Sequence, residues 1–126
     1  MGAELNHTIV NVRDKHISAN FVAEILGLPP PEPLFGYFLI LRTTNNVSLD
    51  FVDSTEKIEP QHYAFLVNET EFDVIFARIL ERNISYWADP GKKEKGSINH
   101  HFGGRGFYFE EPSGHFLEVL TKPYSE

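Results

Sequence analysis

Glu118 stands between Leu117 and Val119 in the segment FYFEEPSGHFLEVL, residues 107–120. The alternation of apolar and polar residues and the Pro-Ser-Gly sequence predict two strands joined by a tight turn. A carboxylate in a buried strand is costly unless it is paired or bound to a metal ion. The sequence therefore marks Glu118 as a candidate for pairing or metal ligation.

Three other polar residues occupy matching places in the two halves of the chain. His7 and His62 lie early in the first strand of each half, in HTIVNV and HYAFLV, and Asp50 lies in SLDFV as Glu118 lies in FLEVL. If the halves pack about a pseudo-twofold axis, the four side chains converge. Two imidazoles and one or two carboxylates suit a divalent metal such as Fe(II), Mn(II), Ni(II) or Zn(II). Asp50 is either an additional ligand or an exposed acid on a strand.

The elements that position the first two of these residues follow from hydrophobic periodicity. A strand over LNHTIVNV precedes a helix that Asp14 can cap and Gly27 can end. The stiff connector PPPEP and two strands, LFGYFLILR and NVSLDFVD with TTNN as their turn, complete the first half. The apolar residues of the helix with helical spacing are Ile17, Phe21, Ile25 and Leu28.

The same order of elements then begins again, which indicates an internal repeat. A strand over QHYAFLV precedes a helix that Asn68 or Thr70 can cap, and ISYWAD predicts a short strand before the closing hairpin. The apolar stripe of this helix comprises Phe72, Ile75, Phe76, Ile79 and Leu80. Because each half is too small to bury a core alone, we expect one α+β domain over 1–126, with βαβββ modules at about 4–56 and 60–122.

Composition excludes several function classes. A formal net charge of -7 disfavours binding to nucleic acid or to an anionic membrane. The chain has no cysteine, and its longest apolar run, LFGYFLIL, is too short to span a bilayer. The N-terminal residues MGAELNHTIV have no pattern of a secretory signal, so we expect a cytoplasmic protein.

The chain resembles the vicinal oxygen chelate superfamily, which includes glyoxalase I, type I extradiol dioxygenases, fosfomycin resistance enzymes and the bleomycin resistance protein. The segments NHTIV, QHYAFLV and GFYFEEPSGHFLEVL carry the resemblance, which covers nearly the whole chain. It implies two βαβββ modules that form one cup-shaped, mostly antiparallel sheet around a metal, with the helices outside. It also implies that His7, His62 and Glu118 are the metal ligands.

The C-terminal segment is similar to the extradiol dioxygenase signature. The matching residues are His100 or His101, Phe107, Tyr108, Glu111, Pro112, Gly114 and Glu118. The similarity implies that Tyr108 and one of the two histidines lie beside a catecholic substrate, where Tyr108 could donate to an oxyanion and the histidine could move a proton.

Two other predictions concern residues near this signature. Arg105, between glycines in GGRG, either meets an anionic group of the substrate or is a solvated residue of a flexible loop. His16 and His115 are predicted to lie at the surface.

The resemblance leaves three hypotheses for function, all with a small-molecule ligand and a homodimer as the expected assembly. The favoured one is an Fe(II)-dependent, extradiol-type oxidation of a catecholic compound. The second is a glyoxalase-like lyase or isomerase, in which Asp50 is a fourth ligand of Ni(II) or Zn(II). The third is a bleomycin-resistance-like protein that sequesters its ligand without a metal or catalysis.

Overall fold

The computed structural model describes residues 2–124. The chain divides into two compact units, Met1–Glu59 and Pro60–Glu126. Each unit contains one helix and one four-stranded sheet, so the predicted α+β class and the two βαβββ modules are confirmed. Among the described residues, no helix is long and apolar enough to cross a membrane.

The first unit contains five elements. They are β1 (His7–Val12), α1 (Lys15–Leu26), β2 (Glu32–Leu34), β3 (Phe38–Arg42) and β4 (Ser48–Asp53). The sheet order is β1-β4-β3-β2, with β1 and β4 parallel and the other pairs antiparallel. The predicted single strand LFGYFLILR is divided here, because Phe35 and Gly36 have positive φ angles of 55° and 81°. The PPPEP segment is not only a connector, since its Glu32 and Pro33 belong to the edge strand β2.

Helix α1 has the predicted ends, and its buried face matches the prediction except at Ile17. The Asp14 carboxylate accepts hydrogen bonds from the backbone N–H groups of His16 and Ile17, and Gly27 ends the helix at a φ of 72°. Ile17, expected among the apolar contacts, is 58% exposed. Ile25 is fully buried as predicted, and Phe21 and Leu28 are half-buried. The other buried residues of the helix are Ser18, Ala19, Val22 and Ala23, so the buried face is shifted towards smaller side chains and excludes Ile17.

The second unit repeats the order of the first. Its elements are β5 (His62–Leu66), α2 (Glu69–Glu81), β6 (Tyr86–Trp87), a short 3-10 turn (His101–Gly103), β7 (Gly106–Glu110) and β8 (Phe116–Leu120). The sheet order is β5-β8-β7-β6, and β5 and β8 are the parallel pair. The predicted closing hairpin is confirmed as β7 and β8.

Helix α2 covers one face of the second sheet, and the opposite face carries His62 and Glu118. Asn68 is its cap and accepts a hydrogen bond from the backbone N–H of Glu71 at 2.7 Å. Phe72 packs edge-on against Phe107 of β7, with ring centroids 5.4 Å apart. Because successive strand residues point to opposite faces, Tyr108 lies on the face away from the helix.

Candidate metal-binding site

The strand register places a histidine and a carboxylate on one face of each sheet. In the first unit His7 is opposite Ser48, so it lies one diagonal step from Asp50. In the second unit His62 is opposite Phe116, one diagonal step from Glu118. Paired residues and their i+2 neighbours share a face of a sheet. The repeat seen in the sequence therefore extends to the register of these four residues.

In the second unit the histidine and the carboxylate are in contact. His62 Nε2 lies 2.9 Å from Glu118 Oε1. The Glu118 side chain is 2% exposed, whereas that of His62 is 47% exposed. The other carboxylate oxygen, Oε2, accepts a hydrogen bond from the Tyr124 hydroxyl. Glu118 is thus a buried carboxylate with a partner on each oxygen, as the cost of burying a charge requires.

Both nitrogens of His62 face oxygen acceptors. Nδ1 lies 3.1 Å from the backbone carbonyl oxygen of Phe116, while Nε2 faces Glu118. A neutral imidazole carries only one N–H, so whichever ring nitrogen lacks the proton directs its lone pair towards an oxygen acceptor. A positive charge removes this repulsion, either as a second proton on the ring or as a metal ion bound by both groups. Metal-binding histidines commonly donate their other N–H to a backbone carbonyl in this way.

In the first unit the equivalent residues have separate partners. Asp50 is buried and accepts a hydrogen bond from the Ser48 hydroxyl. His7 is exposed, and its Nδ1 lies 2.8 Å from Asn6 Oδ1. Ser48 occupies the position that Phe116 has in the second unit, so a hydroxyl is within reach of the carboxylate there. The interpretation of Asp50 as an exposed acid is therefore wrong.

The four predicted ligands divide into two pairs, one in each unit. Within residues 2–124 no three His, Cys, Asp or Glu side chains are grouped as a metal site would require. The second unit supplies a His–carboxylate pair that fits a divalent metal in donor chemistry and orientation. Ligation by all of His7, His62, Glu118 and Asp50 stays a prediction.

Tyr108 lies against this pair. It is opposite Glu118 in the β7–β8 register, and its hydroxyl is 2.9 Å from that of Tyr124. Its ring stacks on His62 and Phe116, with centroids 5.7 and 5.4 Å away. Burial raises the pKa of Tyr108, and the nearby Glu118 charge acts in the same direction. The phenol is therefore protonated at neutral pH and can donate a hydrogen bond.

Tyr124 was not predicted from the sequence. Burial and its hydrogen bond to Glu118 raise its pKa, so this phenol is also protonated. It follows β8 in the C-terminal segment, where no periodicity or motif distinguishes it. Only its contact with Glu118 identifies it as part of the site.

The loop before β7 adjoins Tyr124. His100 and His101 are both exposed, and the Phe102 ring is 5.9 Å from the Tyr124 ring. Phe102 has a φ of 56°, the left-handed region, which turns the chain sharply beside the two histidines. A catalytic role for either histidine stays a prediction.

Arg105 is held by carboxylates of α2. Its Nε donates to Glu69 Oε1 and a terminal nitrogen lies against Asp73 Oδ1, each at 2.8 Å. The guanidinium also lies 4.2 Å from the centre of the Phe72 ring. The interpretation of Arg105 as a solvated residue of a flexible loop is wrong, because its side chain is only 26% exposed. Substrate binding by Arg105 stays a prediction.

His115 is buried rather than at the surface. It is 1% exposed, and its Nδ1 accepts a hydrogen bond from the backbone N–H of Gln61 at 2.9 Å. Its own backbone N–H donates to Glu111 Oε1, which also accepts from Ser113 N–H. The Glu111 carboxylate thus bonds to two backbone N–H groups of the turn in the closing hairpin. This turn brings His115 inside, and it fixes the register that sets Glu118 opposite Tyr108.

The comparisons agree with this arrangement of elements. The family model described as "Glyoxalase/Bleomycin resistance protein/Dioxygenase superfamily" matches residues 4–119, and the chain belongs to this superfamily. Members of the superfamily act on small molecules and include metal-dependent enzymes.

Two solved structures and one further protein are similar to the chain. The solved structure named Oxidase ChaP-H1 is 53% identical, with a TM-score of 0.95 and coverage of 99% of this chain and 100% of that one. Oxidase ChaP-H2 is 55% identical, with a TM-score of 0.96 and coverage of 100% and 98%. Glutathione transferase FosA of Serratia marcescens is 29% identical over 120 residues, 91% of this chain and 78% of FosA.

Proposed function

We propose that the protein is a metal-dependent enzyme that oxidises a catecholic compound with dioxygen, with Fe(II) held by His7, His62 and Glu118. The observation that carries the proposal is the 2.9 Å contact between His62 Nε2 and the buried Glu118 carboxylate, which places an imidazole and a carboxylate side by side. Two histidines and one carboxylate leave open positions on Fe(II), where the bound metal would polarise the oxygens of a diol and admit dioxygen. The similarity to two proteins named as oxidases supports this reaction class.

The face of the second sheet that carries Glu118 suits an aromatic substrate. Phe116, Tyr108 and Trp87 share this face, and Phe116 stacks on Tyr108 with an interplanar angle of 16°. Trp87 lies 6.0 Å from Phe116, and Lys92 Nζ lies 5.3 and 5.4 Å from the centres of these two rings. A planar ring could pack on the exposed part of such a surface, and the Lys92 ammonium would meet an acidic oxygen on it by exchanging its present partner, Glu110 Oε2.

The remaining residues have proposed roles around the diol. Tyr108 donates a hydrogen bond to a substrate oxygen, and His100 or His101 moves a proton between the diol and solvent. Arg105 would bind an anionic substituent only by exchanging one of its contacts with Glu69 or Asp73. The divalent metal itself could be exchanged for Mn(II), Ni(II) or Zn(II), which differ in reactivity with dioxygen.

The reaction class can be tested with the purified protein. We load it anaerobically with Fe(II), mix it with a panel of mono- and polycyclic catechols in oxygenated buffer, and record oxygen uptake. We expect uptake with at least one diol, and none with the Zn(II)-loaded protein, since Zn(II) has no redox chemistry. Fe(II)-loaded protein that consumes no oxygen with any diol would contradict the proposal.

A second candidate is a glyoxalase-like or thiol-transferring enzyme with a four-ligand metal site. It is favoured by the burial of Asp50 at the register position equivalent to that of Glu118. The similarity to glutathione transferase FosA supports the same class. Oxygen-independent turnover of a glutathione adduct would favour this candidate over the oxidase.

Replacing Asp50 by Asn separates the two candidates. We expect Asp50→Asn to keep metal affinity within a few-fold of wild type, because Asp50 is already bonded to the Ser48 hydroxyl and a three-ligand site does not need it. Metal affinity is measured by competition with a chromophoric chelator, and Ser48→Ala serves as the matched control for loss of that hydrogen bond. A large loss of affinity in Asp50→Asn alone would instead support the four-ligand site.

A further inference from the structure

The C-terminal segment brings a second phenol to the candidate metal pair. Tyr124 lies four residues beyond Leu120, the last residue of β8, and its side chain returns to the sheet. Its hydroxyl contacts Glu118 Oε2 and lies 2.9 Å from the Tyr108 hydroxyl. Tyr124 is 48% exposed, so contacts with these two residues, rather than deep burial, locate it.

The hydrogen bonds of these three residues have a definite direction. An ionised carboxylate only accepts hydrogen bonds, so the Tyr124 O–H donates to Glu118. Because the Tyr124 proton is donated to Glu118, the Tyr124 oxygen accepts the hydrogen bond from the Tyr108 O–H. The two oxygens of Glu118 are thereby divided, since Oε2 is bound to the phenol and Oε1 faces His62 Nε2.

The loop before β7 holds this segment in place. The backbone N–H of Arg105 donates to the Thr121 hydroxyl at 2.8 Å, and the N–H of Thr121 donates to the Arg105 carbonyl at 2.9 Å. Gly104 permits this close approach, because a Cβ there would lie 2.6 Å from Cγ of Lys122. The Phe102 ring lies against Tyr124 on the same side. Tyr124 thus approaches Glu118 from a segment that is held by the hydrogen bonds between Arg105 and Thr121 and by the Phe102 ring.

We infer that Tyr124 is a positioning residue for the metal site. Its hydroxyl fixes the rotation of the Glu118 carboxylate, so that Oε1 alone is presented beside His62 and would be the oxygen that Glu118 offers to a metal. This inference rests on the proposed function, since it concerns the same metal. Loss of such an outer partner of a metal ligand typically weakens metal binding about 10- to 100-fold.

Tyr124→Phe tests the inference, because it removes the hydroxyl and keeps the ring against Phe102. We expect its dissociation constant for Co(II) to rise about tenfold or more, and the absorption spectrum of bound Co(II) to change as the carboxylate coordinates differently. The unfolding temperature of the metal-free variant should fall, because buried Glu118 Oε2 loses its partner; a merely structural effect would lower it without changing the spectrum of bound Co(II). Tyr37→Phe, at an exposed position of the first unit, is the matched control.

The outcomes separate this inference from the proposed function. Wild-type protein that binds no Co(II) would overturn both. Wild-type binding with unchanged affinity and spectrum in Tyr124→Phe would overturn the positioning role alone. Tighter binding in the variant would also overturn it, because Tyr124 would then compete with the metal for Glu118.

Discussion

Glu118→Ala and His62→Ala are expected to reduce bound divalent metal from about one ion per chain to almost none. Each substitution removes one member of the His62–Glu118 pair, whose Nε2 and Oε1 atoms lie 2.9 Å apart. Removal of either leaves too few donors in the second unit to hold a divalent ion against water. Elemental analysis of protein purified without a polyhistidine tag measures this, because a tag would bind metal itself.

The measurement of metal content needs two further variants. One removes a histidine outside the site, and the other removes the Glu118 charge without leaving a cavity. His16→Ala removes an exposed imidazole from α1 and should retain the full metal content. Glu118→Gln keeps the volume of the buried side chain while removing its charge, so it separates lost ligation from a cavity. Equal metal content in wild type, His62→Ala and Glu118→Gln would refute the metal site.

Tyr108→Phe is expected to lower kcat about a hundredfold, the usual effect of one well-placed donor to a developing negative charge. Without substrate its hydroxyl donates to Tyr124, and rotation about the C–O bond redirects the proton to a substrate oxygen. The metal content of the variant should not change, since Tyr108 is not among the proposed metal ligands. Steady-state oxygen uptake with the Fe(II)-loaded variant, alongside elemental analysis, measures both quantities.

Tyr86→Phe is the matched control for this prediction. Tyr86 is in the neighbouring strand β6 of the same sheet, and its side chain points to the opposite face, where it packs against Phe76. We expect its turnover to equal that of wild type. Wild-type turnover in Tyr108→Phe, or an equal loss in both variants, would remove Tyr108 from the catalytic residues.

Features set by short-range interactions could be predicted from the sequence. Helix caps such as Asp14 and Asn68 act on N–H groups two or three residues away, so their sequence signals are local. The closing hairpin follows from its turn residues and alternation. The internal repeat predicted one longer-range feature. Because both halves have the same order of elements, His62 and Glu118 take the same places in the second sheet that His7 and Asp50 take in the first.

The tertiary structure decided which faces are buried and which side chains meet. Ile17 is exposed and His115 is buried, since burial depends on elements distant in the sequence. Asp50 is bonded to Ser48 while Glu118 contacts His62, a difference that follows the residue two positions earlier in the same strand, Ser48 in β4 and Phe116 in β8. Tyr124 joins the site because the loop before β7 holds the C-terminal segment beside it, and no local pattern encodes such an approach. Local patterns specify the backbone, whereas partners of polar side chains depend on distances that exist only after the strands have paired.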